Sequence, residues 1–260
     1  MIQKNDALFL LIDTYHKQLE RHRKSKSNFY YLSYKVQHTY WVVEMAKKII
    51  LADATLSKKG VTFKDLVETW CLLHDIWRFF QVETKKFNDS KKFDHGDVGF
   101  SIIRKSFPHK NDMPIALSVK YHNKHSTDTL LQDPLYKSTD QSLTVLLLKI
   151  IRDADKLDNF KEILYTNGEI IDVLFSLPAS KITKQVLDKY IKTWIIYHED
   201  VKTREDSYLH LLSRKNDLNF ASSKAIFQDI GFEKFIYKKL HELWVSKKIL
   251  LRIFWKTHSK

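Results

Sequence analysis

Only five glycines and four prolines interrupt this chain of 260 residues. These are the residues that most often turn or break a regular backbone, and at this frequency they leave long stretches free to continue as helix. The apolar pattern agrees. Leu8, Leu11, Ile12, Tyr15 and Leu19 recur at helical spacing; a basic polar loop over residues 21–28 separates them from a second helix over 31–51, marked by Val36, Tyr40, Val43, Ala46, Lys47 and Ile50. A third helix starts near Thr62, where Thr62 and Asp65 form a capping-box pattern, and passes through Leu66, Trp70, Leu73 and Trp77 to about Val82. After a lysine-rich loop over 84–93, shorter helices are expected over 96–106 and 113–124, a strongly apolar one over 142–155, and several more from 163 onward. No stretch of useful length alternates with the period of a strand, and no repeat or shift in composition marks a linker. The economical reading is a single all-α domain over residues 1–260, with a helical C-terminal extension over about 165–260; a separate C-terminal subdomain is the alternative.

Sixteen Phe, twelve Tyr and six Trp give such a chain large apolar side chains with which to offset its ordering entropy, which excludes a largely disordered protein. The net charge of +13 suggests anionic partners. Of the forty-four basic residues, however, eight are arginines and thirty-six are lysines scattered along the whole chain, whereas readers of base edges and bidentate phosphate binders favour arginine. A solvated lysine surface that attracts small anionic substrates is therefore preferred to a nucleic-acid interface. The single cysteine, Cys71, lies in an apolar stretch and forms no intramolecular disulfide. The apolar run over residues 7–12 lacks the flanks of a secretory signal, and no run approaches the ~20 apolar residues of a membrane span. A cytoplasmic location is expected.

Twelve histidines are present. His16, His22, His109, His198, His210, His241 and His258 sit among polar neighbours or at element ends and read as ordinary imidazoles. His38, His74, His95, His122 and His125 differ, because each lies near another ligand type or on a helix that must face the core. His74 and Asp75 interrupt the run Trp70-Cys71-Leu72-Leu73-His74-Asp75-Ile76-Trp77, so at least one of them points into apolar surroundings. Burying an unpaired carboxylate is costly, and a cation or a buried ion pair beside it removes the cost. Asp153, seven residues past Leu146 in a similarly apolar helix, presents the same choice between a metal and a partner such as Arg152.

His38, the His74-Asp75 pair and Asp153 lie on three separate expected helices, and together they resemble the H...HD...D signature of the HD superfamily. His74-Asp75-Ile76-Trp77-Arg78-Phe79-Phe80-Gln81 resembles the family's "HDIGRFEQ". Phe87-Asn88-Asp89-Ser90 with Asp94-His95-Gly96-Asp97-Val98-Gly99 is similar to its "F.D...DHGELG", Tyr121-His122-Asn123-Lys124 to its "HN(K)" segment, and Arg152-Asp153-Ala154-Asp155-Lys156-Leu157-Asp158 to "RDADKLD". Weaker similarity continues over residues 217–231. The resemblance implies a helical bundle around a divalent metal, with the site-bearing core over about 30–160 and additional C-terminal helices. His38, His74, Asp75 and Asp153 are its implied ligands. Imidazole and carboxylate suit Mn, Fe, Co, Ni or Zn.

The implied activity is that of a metal-dependent phosphohydrolase, a phosphomonoesterase or phosphodiesterase that uses a metal-activated water on a nucleotide or other small phosphate ester. His95 and His122 stand where binuclear members carry further ligands, so the resemblance allows one ion or two; with one ion, both histidines would serve substrate or water. Asp75, His95, His122 and Lys124 are the implied catalytic residues, and Arg78, Lys124 and Asn123 the implied phosphate contacts. Arg78 is expected one turn after His74 on the same helix face, where an ion pair with a helix neighbour is the alternative. Asp155 and Asp158 are expected to order Lys156, Arg152 or an imidazole. Two departures stand out: Trp77 replaces the glycine after His-Asp-Ile, and Phe80 replaces an acid. Other members with a six-ligand set are di-iron oxygenases, and a regulatory protein with a lapsed site is a further alternative. The basic, aromatic stretch over residues 243–260 suits a docked terminal helix or an anionic surface.

Overall fold

The computed structural model describes residues 2–84, 94–124, 126–169 and 177–254, and every regular element among them is helical. The expected all-α class holds. The chain divides into two compact units, Met1–Asp155 and Lys156–Lys260.

In the first unit, α1 (Lys4–His22), α2 (Lys26–Ala52) and α3 (Val61–Leu73) pack pairwise. Their core is made of Ala7, Leu11, Leu32, Val42, Ala46, Ile49, Val67, Trp70 and Leu73, all essentially inaccessible. Helix α2 begins earlier than the apolar pattern suggests, because the Ser25 hydroxyl accepts from the Asn28 N–H and opens a helix inside the expected loop. The expected Thr62–Asp65 capping box does not form; Gly60 holds the N-cap position of α3. The same helix also ends sooner than its periodicity suggests. It stops at Leu73, and His74 and Asp75 form a turn into the 3-10 segment Ile76–Phe80, followed by the short α4 (Gln81–Thr84).

Helices α5 (His95–Ser106) and α6 (Met113–Tyr121) form a second pair. Asp94 caps α5 by accepting from the Gly96 and Asp97 N–H groups. A Cβ at Gly96 would lie 2.4 Å from the Lys120 carbonyl, and one at Gly99 would lie 3.0 Å from Val119 Cγ1, so these glycines set the close approach of α5 to α6. Helix α6 ends at Tyr121 rather than 124. After α7 (Asp128–Leu131), α8 (Gln141–Tyr165) runs ten residues beyond the expected end at 155, and the boundary between the units falls within it.

The second unit centres on Phe160, whose ring meets Phe227 at 5.0 Å and Phe232 at 4.6 Å. Its helices are α9 (Lys184–Thr193), α10 (Arg204–Ser213), α11 (Ala221–Ile230), α12 (Phe232–Glu242) and α13 (Lys247–Phe254). Gly231, at φ +74°, joins α11 to α12 in the left-handed conformation that glycine adopts without strain. Leu250 and Ile253 are buried and Phe254 meets Tyr237, so α13 is a docked helix. The expected loop from residue 85 to 93, with its Phe87-to-Ser90 motif, His125, and residues 255–260 lie outside the described residues. No helix of the described residues is long and apolar enough to cross a membrane.

Candidate metal centre

Four stretches of the first unit bring imidazoles to one carboxylate, that of Asp75. Its Oδ2 lies 3.7 Å from His38 Nε2 on α2 and 3.8 Å from His74 Nε2 just past α3. Its Oδ1 lies 3.6 Å from His95 Nε2 at the start of α5 and 3.7 Å from His122 Nε2 just past α6. The ligating atoms of His38, His74 and Asp75 all fall within 4.8 Å of one another, as do those of Asp75, His95 and His122. All five residues are buried. Donor atoms about 2.1 Å from a shared tetrahedral centre lie roughly 3.4 Å apart, and the spacings around Asp75 are of that size.

The helix ends explain how two of these imidazoles are aimed. His74 and His122 each occupy the C-cap position of a helix, where the last carbonyls have no intrahelical partner. His74 Nδ1 uses the Cys71 carbonyl at 2.7 Å, and His122 Nδ1 uses that of Val119 at 2.7 Å. A carbonyl can only accept, so in both rings Nδ1 carries a proton, and in the neutral ring Nε2 presents a lone pair toward Asp75. His74 Nε2 is fully buried and has no hydrogen-bond partner among the described residues. An orphaned imidazole lone pair facing a buried carboxylate fits a cation, and the donor set of imidazoles and carboxylates suits a divalent transition metal.

Electrostatics favour the protonation states a cation needs at His74 and Asp75. Burial pushes the His74 imidazole down to about 4, so it is neutral near pH 7. Burial alone would raise the Asp75 carboxyl, but Lys35, His74, His122 and Arg78 outweigh it and hold the group well below the usual carboxylate range.

Helix α8 contributes Asp155. Its Oδ1 lies 3.3 Å from His38 Nε2, the nitrogen that also faces Asp75, and against the opposing effect of burial His38 holds its carboxyl far below normal. Asp153, which the resemblance implies as the ligand, is completely buried; neither it nor Asp155 belongs to the two groups around Asp75. Residues two apart on a helix diverge by about 200°, so the two carboxylates face different surroundings. Arg152 supports the site from behind by donating to the His122 and Lys124 carbonyls.

Of the implied phosphate contacts, Arg78 is at the cluster, with Nε 3.6 Å from Asp75 Oδ1 and Nη1 donating to Gln81 Oε1 at 2.9 Å. It reaches there from the 3-10 segment that follows the break at His74, not from a continued α3. Asn123 and Lys124 meet Asp94 instead. Asn123 Nδ2 donates to Asp94 Oδ2 at 2.9 Å and lies 3.3 Å from His95 Nδ1, while Lys124 Nζ lies 2.7 Å from Asp94 Oδ2 and 3.6 Å from Asp97. These contacts hold the first turn of α5, and with it His95. The two departures, Trp77 and Phe80, pair with each other: their rings stack at 5.3 Å with an interplanar angle of 16°, as side chains three apart on a 3-10 helix can.

One residue at the centre escapes the reading of the motifs. Lys35 Nζ lies 3.2 Å from Asp75 Oδ2. The signal that could have found it is its spacing, three residues before His38 on the same helix face.

Residues 35–159 match the family model described as HD domain. No curated protein and no solved structure matches the chain significantly.

Proposed function

The chain is an HD-domain superfamily member, with its domain at residues 35–159, and on that premise we propose that it is a metal-dependent phosphohydrolase of nucleotides or other small phosphate esters. The observation that carries this reading is the buried Asp75 carboxylate between imidazole pairs, with a partnerless lone pair on His74. His38, His74, Asp75 and Asp155 would hold the ion, Asp155 taking the place of Asp153 because it shares the His38 Nε2 atom. When bound, a divalent ion would supply a Lewis acid for a phosphoryl oxygen and lower the pKa of a water from about 15.7 toward about 7.

The chain's own groups do the rest. Arg78 offers a guanidinium beside the cluster to hold phosphoryl oxygens and to stabilise the charge that builds on them. His95 Nε2 lies 3.0 Å from His122 Nε2. With a lone pair on His122 Nε2, His95 is the donor of that hydrogen bond, and its Nε2–H is an N–H donor that can turn to a phosphoryl or leaving-group oxygen and stabilise the charge there. Asn123, whose Nδ2 faces His95 Nδ1, and Lys124, through Asp94, fix the ring in that state. A second reading places another ion between His95, His122 and Asp75 Oδ1, favoured by the second group of close ligating atoms.

The test is elemental analysis of anaerobically purified protein paired with turnover across a panel of phosphate esters. Metal-dependent hydrolysis that disappears in Asp75→Ala is the expected outcome. Asp155→Asn should weaken metal binding by more than the ~100-fold that losing a partner outside the ligand set costs, and Asp153→Asn much less. Iron with oxygen-dependent turnover and no ester hydrolysis would overturn the proposal in favour of an oxygenase.

A further inference from the structure

Two cations, Lys35 and Arg78, face the two oxygens of Asp75. Arg78 addresses Oδ1. Lys35 addresses Oδ2 at 3.2 Å, the oxygen that His38 Nε2 and His74 Nε2 also face at 3.7 and 3.8 Å. Its ammonium thus sits against the same carboxylate oxygen as the ligand set that fits a metal, with its side chain only 14% exposed. An ammonium and a divalent cation repel strongly at this range where water is scarce, so both cannot keep that oxygen.

We propose that Lys35 is a charge switch: its ammonium neutralises Asp75 in the metal-free chain, and once a metal takes that carboxylate it turns to hold a phosphoryl oxygen. Lysine suits the role because its charge is compact and its four-carbon stem rotates freely. The backbone stays fixed, since the Lys35 carbonyl accepts from Thr39 Oγ1 at 2.9 Å within α2. A bound dication adds positive charge to the cluster, and the displaced ammonium is then beside any anion that the metal draws in. The phosphate half of the proposal rests on the phosphohydrolase reading; the metal half does not.

The experiment titrates Mn²⁺ into the metal-free full-length chain by calorimetry, and then inorganic phosphate into the Mn²⁺-loaded chain, for wild type, Lys35→Met and Lys35→Gln. Both variants should bind Mn²⁺ about tenfold more tightly and inorganic phosphate about tenfold more weakly. The opposite signs matter, because a merely structural role would weaken both. Mn²⁺ affinity that is unchanged or reduced in both folded variants, or phosphate affinity equal to wild type, would overturn the switch. If both variants show both binding effects yet wild type hydrolyses no ester, the hydrolase reading falls while the switch stands on the measured Mn²⁺ and phosphate affinities. Full hydrolysis with neither effect would do the reverse.

Discussion

On the Oδ2 side of Asp75, His74 is tied through Nδ1 to the Cys71 carbonyl and its Nε2 has no hydrogen-bond partner among the described residues. On the Oδ1 side, His122 is tied in the same way to the Val119 carbonyl, but its Nε2 meets His95 at 3.0 Å. The anchoring is identical and the outcome differs, because the neighbour of the exposed lone pair decides what the imidazole can do. A cation entering the first side finds His74 Nε2 with no hydrogen bond to break, although it must displace Lys35 and part the His38 Nε2–Asp155 contact. A cation entering the second must break the bond between two histidines. On our proposal the first side takes the metal and the second positions His95.

The sharpest way to break this comparison is to remove one imidazole from each side. His74→Gln should lose tightly bound metal and turnover together, with affinity falling by more than the ~100-fold that a change outside the ligand shell costs. His122→Gln should keep the tight ion while turnover falls, by about 100-fold or more if His95 loses its acceptor. Metal stoichiometry and kinetics on the same preparations decide it; loss of one of two bound ions in His122→Gln would establish the two-ion arrangement instead.

A smaller effect should appear in the metal-free protein as the pH falls. His74 is held at about 4 by burial, whereas an unfolded histidine titrates near 6.5. Between those values the unfolded chain takes up a proton that the folded site refuses. The stability associated with neutral His74 is therefore present above pH ~6.5 and lost progressively toward pH ~4, by on the order of 3 kcal/mol. Urea denaturation across that window should show the slope in wild type and a shallower one in His74→Gln.

The smallest effect concerns the second side alone. Gly96→Ala would place a Cβ 2.4 Å from the Lys120 carbonyl, so α5 must move away from α6. A loss of about 1–3 kcal/mol is expected, together with a weakened coupling between His95 and His122 that ¹⁵N spectra of the imidazoles would report. Metal affinity at the His38–His74 side should change little, and an equal loss on both sides would mean that they are not built independently.

Much of this site is legible in the amino-acid sequence. A histidine and an aspartate embedded in the apolar run from Trp70 to Trp77 have to be buried and compensated, and that requirement alone marks residues 74 and 75. His38, His95 and His122 follow from the motifs around them. Less is legible where one helix offers two similar groups. Asp153 and Asp155 both lie in an apolar helix with charged neighbours, and choosing between them requires the rotation of α8 about its axis, which depends on everything packed against it. Lys124 reads as a phosphate contact by its nearness to His122; that it also pairs with Asp94 and Asp97 is visible only in the fold.

Helical class and a buried charge at Asp75 follow from residue pattern alone. Scarce helix breakers and periodic apolar residues act locally, and the cost of an uncompensated carboxylate holds for any helical arrangement. Which partners compensate that carboxylate is a matter of packing in three dimensions. Helix α3 ends at Leu73 although its apolar period continues, which turns His74 and Asp75 inward and sends Arg78 back toward them. Lys35 and Asp75 meet across 40 positions and His95 and His122 across 27, while Asp155 reaches His38 from near the far end of the HD domain. Contacts of that range arise from helix docking, whose geometry is set by the side chains of every packed face at once rather than by any local stretch of sequence.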